Sequence, residues 1–486
     1  VVDVPAPGVQ PGSILVAVDY SCISVGTEIS GLKSGGDPLW RRAQRSPEQV
    51  RAVVSLAKEQ GLKQVYEKVT KKLDTALAIG NQVKWFNTIQ FNQGESEAIY
   101  LNDLALVLPF AVLKIETQGD FRNAGLFMHI SSLPSKFGVG DLGATAYQFA
   151  NFLKSAKQRY WQVCPIGPNG LGDNYSPYST LCTMAGNPLF IAPELLQKQG
   201  LLSESDFDNI SENDEEQVDY PKAAALKYLL LDKAWANYQQ QNLDDKDYIE
   251  FCEKEKDWLR DYALFMVLNQ HYQQAWWEWP KALKTREKDA LADFISNNKP
   301  AIQKQQWFQY IFFRQWHDLK SYCNQNYIQI LGDLPFYVSH HSADVWANQS
   351  IFKLKDDGRI EGIAGVPPDY FSTDGQLWGM PVYCWDELEK QHYDWWIRRL
   401  KQQLNLFDLL RLDHFRAFYD YWEVPEGSIN AINGEWKKGP GETFFELLKK
   451  EFPNMPFIAE DLGEISSGVY ALRDQFQIAG MKVLQF

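Results

Sequence analysis

Three short apolar runs in the last third of the sequence each end in a carboxylate, and they constrain the fold more than any other feature. They are Ile328–Asp333 (IQILGD), Leu409–Asp413 (LLRLD) and Phe457–Asp461 (FIAED). Side chains alternate along a strand, so Arg411 and Asp413 share one face of the second run while Leu410 and Leu412 share the other. Long stretches with helical spacing separate the runs. Strands alternating with helices, with acids where the strands end, predict an α/β fold: a (β/α) barrel with its carboxylates at the C-terminal mouth of the strands. A strand ending in Asp is also an ordinary helix N-cap, and any single run would fit that reading. The set of three favours the barrel.

Within that barrel, a guanidinium two residues before Asp413 on the same face is expected to hold the acid ionised at neutral pH. An ionised, positioned Asp at a strand end is what a nucleophile for sugar transfer requires. The 17 Trp, 23 Tyr and 28 Phe supply flat apolar platforms suited to the C–H faces of sugars, although most rings should fill the core, Trp276, Trp277 and Trp279 among them. A net charge of −14 argues against nucleic acid and anionic membrane as partners. The six cysteines and seven histidines contain no C-x-x-C, no H-E-x-x-H and no tight cluster, so no metal or disulfide framework is expected. Reduced thiols and a cytoplasmic location follow as the default. The pair His340-His341 cannot turn both rings to one face of a strand and reads as structural. No window of about 18 apolar residues exists to span a membrane, and no secretory signal is legible after Val1.

Taken in order, residues 1–117 differ from the rest: a turn-rich entry, an alternating Ser13–Tyr20, a charged helical stretch, then short strand-like runs. Gly138-Val-Gly140-Asp-Leu-Gly143 matches G-x-G-x-x-G and precedes a helix expected from about 144 to 156. It does not directly follow a strand, and no acid lies in the region about twenty residues on, so nucleotide binding is rejected. Strands are expected at 126–130, 160–166, 328–334, 409–412, 457–459 and 481–486. A mostly helical insertion is expected near 193–320, a helix near 394–404, and loops at 167–188 and 362–379.

The first stretch resembles the GroES-like N-terminal part of medium-chain dehydrogenases, through Pro5-x-Pro-Gly-x-x-Pro-Gly, the strand after it and Ser21-Cys-Ile-Ser-Val-Gly-Thr-Glu28. Zinc-dependent members place a catalytic cysteine where Val25 stands, and no dinucleotide-binding half follows, so an oxidoreductase is the weakest reading. Residues 122–486, within a barrel domain expected over 118–486, resemble the 4-α-glucanotransferases (amylomaltase, disproportionating enzyme). The colinear matches include His129-Ile-Ser-Ser-Leu-Pro134, Ala185-Gly-Asn-Pro-Leu189, Gly332-Asp-Leu-Pro335, Ala364-Gly-Val-Pro-Pro-Asp-Tyr-Phe-Ser372, Gly375-Gln-Leu-Trp-Gly379, Arg411-Leu-Asp-His-Phe-Arg416 and Ala459-Glu-Asp-Leu-Gly463.

That resemblance implies retaining transfer of α-1,4-glucan segments between maltooligosaccharides or starch-derived chains, with no cofactor. Asp413 matches the nucleophile and Glu460 the acid/base. Arg411, His414, Tyr178, Ser176, Asp333, Trp378 and Asp461 become substrate-side residues, and Tyr370 and Phe371 fall in a loop that lids the glucan. A retaining pair sits about 5 Å apart, with the acid's pKa raised by its neighbour. The family also has a third catalytic Asp after its seventh strand, which finds no counterpart before Phe486. The sequence therefore predicts an incomplete (β/α)8 TIM-type barrel with helical insertions, preceded by a β-rich fragment, as a fragmentary or chimeric product with little activity by itself. A non-catalytic glucan-binding protein is the main alternative, and a hydrolase of the α-amylase type the next.

Overall fold

The structure is a computed structural model and describes residues 123–170, 174–208, 210, 217–241, 245–369 and 372–483. The expectations for residues 1–117, for Tyr370 and Phe371, and for a strand reaching Phe486 lie wholly or partly outside those residues. Residues 124–483 form one compact unit.

Two sheets organise that unit. The larger has six parallel strands: β1 (Gly125–Phe127), β2 (Tyr160–Gln162), β3 (Gln329–Leu334), β6 (Leu409–Leu412), β9 (Phe457–Ala459) and β10 (Ala479–Gly480), neighbours in that order. Each strand pairs with the next one of its sheet along the chain, as in a (β/α) barrel. The smaller sheet is antiparallel, ordered β5-β4-β7-β8, from β4 (Gly362–Val366), β5 (Gln376–Pro381), β7 (Asp420–Pro425) and β8 (Glu435–Lys438). It is assembled from the excursions that leave the C-terminal ends of β3 and β6, which puts it on the side of the barrel where the acids stand.

The principal helices are α1 (Ala144–Ser155), α2 (Tyr220–Gln240), α3 (Lys246–Lys254), α4 (Lys256–Tyr272), α5 (Lys288–Gln325), α6 (Asp394–Leu406), α7 (Gly441–Glu451) and α8 (Ser467–Gln475). α5 kinks at Asn298 (φ −121°, ψ 17°), two residues before Pro300, because proline removes a helical donor and crowds the preceding turn. Beyond the kink Phe308, Phe312, Trp316, Leu319 and Cys323 recur at spacings of three and four and are all buried, the stripe by which a helix packs on a core. Gly186 lets α5 come that close: a Cβ there would lie 1.9 Å from the Phe312 ring. The Gln309 amide clamps the same glycine, accepting from its N–H (2.8 Å) and donating to its carbonyl (2.9 Å).

Several expectations need correction. Residues 362–379 are not loop throughout, since half of them form β4 and the start of β5; the glycines that suggest a loop allow two backbones to approach, and a Cβ on Gly365 would meet the Gln376 carbonyl at 2.4 Å. The first two barrel strands are shorter than expected and give way to turns at the mouth. The last one stands at 479–480, before the expected start at 481. The G-x-G-x-x-G stretch is a structural turn. Its Asp141 accepts from the Gly143 N–H (3.0 Å) and from the fully buried Lys227 ammonium (2.5 Å), and a Cβ on Gly140 would meet the Ile130 carbonyl at 1.9 Å.

Candidate active site

Strand register aligns the acids. Asp333 on β3 lies beside Arg411 on β6, and Leu412 beside Ala459 on β9. Register partners in parallel strands turn to the same face, so the next residues up, Asp413 and Glu460, emerge side by side at the mouth. The backbone extends that ladder: Asp413 N–H donates to the Leu334 carbonyl and Glu460 N–H to that of Leu412, each at 3.0 Å.

Arg411 knits the carboxylates together. Its Nη1 lies 2.7 Å from Asp333 Oδ1 and 2.7 Å from Asp413 Oδ1. The Tyr178 hydroxyl donates to Asp333 Oδ2 (2.8 Å), which ties the loop after β2 across the mouth. Asp333 is closed off, with 5% of its side chain exposed, whereas Asp413 keeps 28%. The open acid is thus the one able to meet a substrate, and the closed one anchors the guanidinium.

His414 follows Asp413 in a left-handed conformation (φ 51°), which costs a non-glycine residue about 1 kcal/mol. The turn aims its N–H at Glu460 Oε2 (2.9 Å), while Leu462 N–H donates to Oε1 (3.3 Å). The chain at the nucleophile candidate therefore orients the second carboxyl directly. Burial raises the pKa of Glu460, and the Asp413 charge raises it further, against Arg411 and the two N–H donors. Burial also raises Asp413, with Arg411 opposing. The guanidinium is shared with Asp333, and burial pushes the Asp413 pKa up against it.

The His414 ring is buried and neutral, its pKa pushed down to about 4 by burial and by the Arg416 charge. Its Nε2 has no hydrogen-bond partner among the described residues. Trp378, on β5, stands edge-on to it at 5.0 Å, so the antiparallel sheet delivers an aromatic ring to the acids. Arg399, on α6 and wholly buried, donates to the carbonyls of Pro335 (2.6 Å) and Phe336 (3.1 Å) and fixes the turn that leaves Asp333.

Other expected site residues have structural ties. Ser176 Oγ accepts from the Tyr178 N–H (3.4 Å) and shapes the loop. The Asp461 carboxylate is buried, ion-paired with Arg473 and bonded to the Met481 N–H (2.8 Å). His340 stacks on Trp277 (3.8 Å) and bonds the Gly358 carbonyl, and His341 joins the Trp276 N–H to Asn269, so both serve packing. Among the described residues no three His, Cys, Asp or Glu side chains form a metal-binding group. Two residues at the mouth went unread in the sequence. Cys164 follows β2, its thiol pushed up to about 11 by burial and the Asp333 charge. Tyr337 lies 6.0 Å from Trp378 and 6.4 Å from His414 with its hydroxyl unpartnered among the described residues. Their position just past barrel strands was the available signal.

An Arg-linked pair of acids beside a third at a barrel mouth narrows the chemistry to carboxylate catalysis, and comparison with known proteins decides the family. Residues 128–486 match the glycoside hydrolase 77 family, 4-alpha-glucanotransferase. The chain belongs to that family. A 4-alpha-glucanotransferase of Synechocystis sp. is 45% identical over 373 residues, covering 76% of this chain and 73% of the relative. That of Aquifex aeolicus is 45% identical over 365 residues, covering 75% and 74%. Among solved structures, amylomaltase from Streptococcus agalactiae in complex with acarbose superposes with a TM-score of 0.72 at 38% identity, covering 75% of this chain and 73% of that one. Amylomaltase from Corynebacterium glutamicum, 19% identical with a TM-score of 0.58, covering 74% of this chain and 50% of that one, shares the fold. The family membership makes the chain a glycosyltransferase by class. No helix among the described residues is long and apolar enough to cross a membrane.

Proposed function

We propose that this 4-alpha-glucanotransferase transfers α-1,4-glucan segments with retention, through Asp413 as nucleophile and Glu460 as acid/base, on a cytoplasmic pool of maltooligosaccharides. In the first step an Asp413 oxygen attacks the anomeric carbon and forms a glucosyl ester, while Glu460 gives its proton to the departing 4-oxygen. In the second, Glu460 takes the proton of an acceptor 4-hydroxyl, which attacks the ester carbon and frees Asp413. Glu460 has to start protonated, and its raised pKa serves that. Arg411 and Asp333 hold the nucleophile, Tyr178 and Ser176 fix the loop above it, and His414 Nε2 bonds a sugar hydroxyl. Trp378, with Tyr370 and Phe371 from the adjoining loop, stacks on the glucan and excludes water, so that an acceptor sugar wins over hydrolysis. The barrel domain, 118–486, carries the activity, with 193–320 as its helical insertion.

The observation that supports this most is the hydrogen bond from the His414 N–H to Glu460, which couples the two acids through one turn of backbone. Incubation with maltotriose and chromatography of the products is the test. A ladder of longer maltooligosaccharides with free glucose, abolished by Asp413→Asn, is expected. Reducing ends without redistribution would mean hydrolysis, and binding without products would leave a glucan-binding protein.

A further inference from the structure

We infer that Arg416 is a positioning residue for Glu460: it ties down the turn whose Leu462 N–H meets that carboxyl, and Asp420 and Trp436 hold Arg416 in place. Two N–H groups grip the Glu460 carboxyl. The one on His414 stands at the end of β6 and is anchored by the barrel ladder. The one on Leu462 belongs to residues 460–464, which leave β9 without regular structure and turn back at Gly463 (φ 85°). Among the described residues, the backbone of 462–465 has one hydrogen bond besides that of Leu462. In it the Glu464 carbonyl accepts from Arg416 Nη1 at 2.6 Å. The turn after the acid/base candidate is thus held from the nucleophile's side of the mouth, three residues past Asp413.

The guanidinium is fixed on three sides. Nε donates to Asp420 Oδ1 (2.7 Å) and Nη2 to Oδ2 (3.4 Å), a fork that sets the plane of the group. Its central carbon lies 3.7 Å from the centre of the Trp436 ring, at stacking distance. The remaining nitrogen is left to reach Glu464. Asp420 opens β7 and Trp436 stands on β8, two paired strands, so the antiparallel sheet presents both partners. Only 17% of the Arg416 side chain is exposed. Lysine, a point charge on a flexible stem, cannot keep fork, carbonyl and stack together.

A donor to a carboxylate favours its ionised form, so a loosened turn that withdraws the Leu462 N–H raises the Glu460 pKa further and lets the carboxyl swing. The charged groups acting on Glu460 are Asp413 and Arg411 on β6, while Asp461 is turned away to Arg473. The charge at 416 also bears on His414 and Asp420, which makes a lysine, alike in charge, the deciding variant. That Glu460 is the acid/base rests on the reaction proposed above; the hold of Arg416 on its turn does not.

The test compares Arg416→Lys and Arg416→Met in the full chain. Glutamate labelled with 13C at the side-chain carboxyl, its Glu460 signal assigned by loss in Glu460→Gln, gives the titration without substrate. The alkaline limb of maltotriose transfer gives the same group through activity. Both should move to higher pH in both chains, by about half a unit. The kcat should fall about tenfold at unchanged KM, since the guanidinium is committed to protein partners. Trp436→Leu, at a ring 39% exposed, should move the titration the same way by less, and it decides should the Arg416 variants fail to fold. A Glu460 midpoint at its parental value in Arg416→Lys overturns the inference even where Arg416→Met moves it, because charge alone would then account for the effect. With neither Arg416 variant folded, an unmoved midpoint in Trp436→Leu does the same. A midpoint that moves in the lysine chain, while the parent makes no maltotriose ladder, would uphold the brace and sink the transfer reading.

Discussion

Arg411→Met is the most informative single change, because one guanidinium nitrogen serves two carboxylates at 2.7 Å each. Removing one partner of a buried ion pair costs about 3–5 kcal/mol, since the other charge is left uncompensated. The two acids share that cost unequally. Asp333 is only 5% exposed and retains just the Tyr178 hydroxyl, whereas Asp413 is 28% exposed and can draw on solvent. A loss of about 3 kcal/mol, mostly from Asp333, is therefore expected. Asp333→Asn in the same chain removes the stranded charge and should restore most of it, so the two substitutions are strongly non-additive. Catalysis should respond differently. Arg411 is the main influence opposing burial at Asp413, ahead of the His414 N–H, so without it the Asp413 pKa rises further and the ionised nucleophile is lost at higher pH. The acid limb of kcat/KM for maltotriose must then move to higher pH in both the single and the double variant. Thermal unfolding and a pH–rate profile measure the two effects. A stability loss under about 1 kcal/mol, the value of a solvent-screened pair, together with an unmoved acid limb, would refute the placement of Arg411 as the shared clamp.

Other outcomes follow from the same geometry. Burial and the Asp413 charge raise the Glu460 pKa above its ordinary 4.5. The folded chain thus holds that proton more tightly than the unfolded one, a stabilisation present below 4.5 and lost as pH rises through the folded value. Glu460→Gln should therefore raise the unfolding midpoint near pH 8 but not near pH 4, while abolishing transfer; an equal midpoint shift at both pH values would contradict this. Asp461→Asn should lower the midpoint, through loss of the Arg473 pair, and leave KM for maltotriose unchanged; a raised KM at unchanged stability would return Asp461 to the substrate side. Gly332→Ala puts a Cβ 2.2 Å from the Phe407 ring and should cost about 1–3 kcal/mol by overpacking, read from denaturant midpoints.

The apolar-run-then-acid pattern made the barrel strands legible because strand side chains alternate and ladder partners align. Arg411 and Asp413 could be put on one face from two-residue spacing alone, and the structure has them 2.7 Å apart. The acids of the three runs, the α1 helix, the helical character of the chain between β2 and β3 and the structural nature of the G-x-G-x-x-G turn were readable in the same way, since each rests on local periodicity or on the residues a motif lacks. Tertiary structure alone decided the rest. Gly365 and its neighbours read as a loop, but they form a strand because β7, more than fifty residues later, lies beside them. The charge balance at Asp413 depends on how far its surroundings exclude water and on Arg411 being shared with Asp333 across two strands. The bond from His414 to Glu460 spans 46 residues, and the Asp461 carboxylate is held by an arginine on a following helix. Sequence spacing specifies which side chains share a face; burial and long-range partners, which set pKa and availability, exist only once the strands have paired.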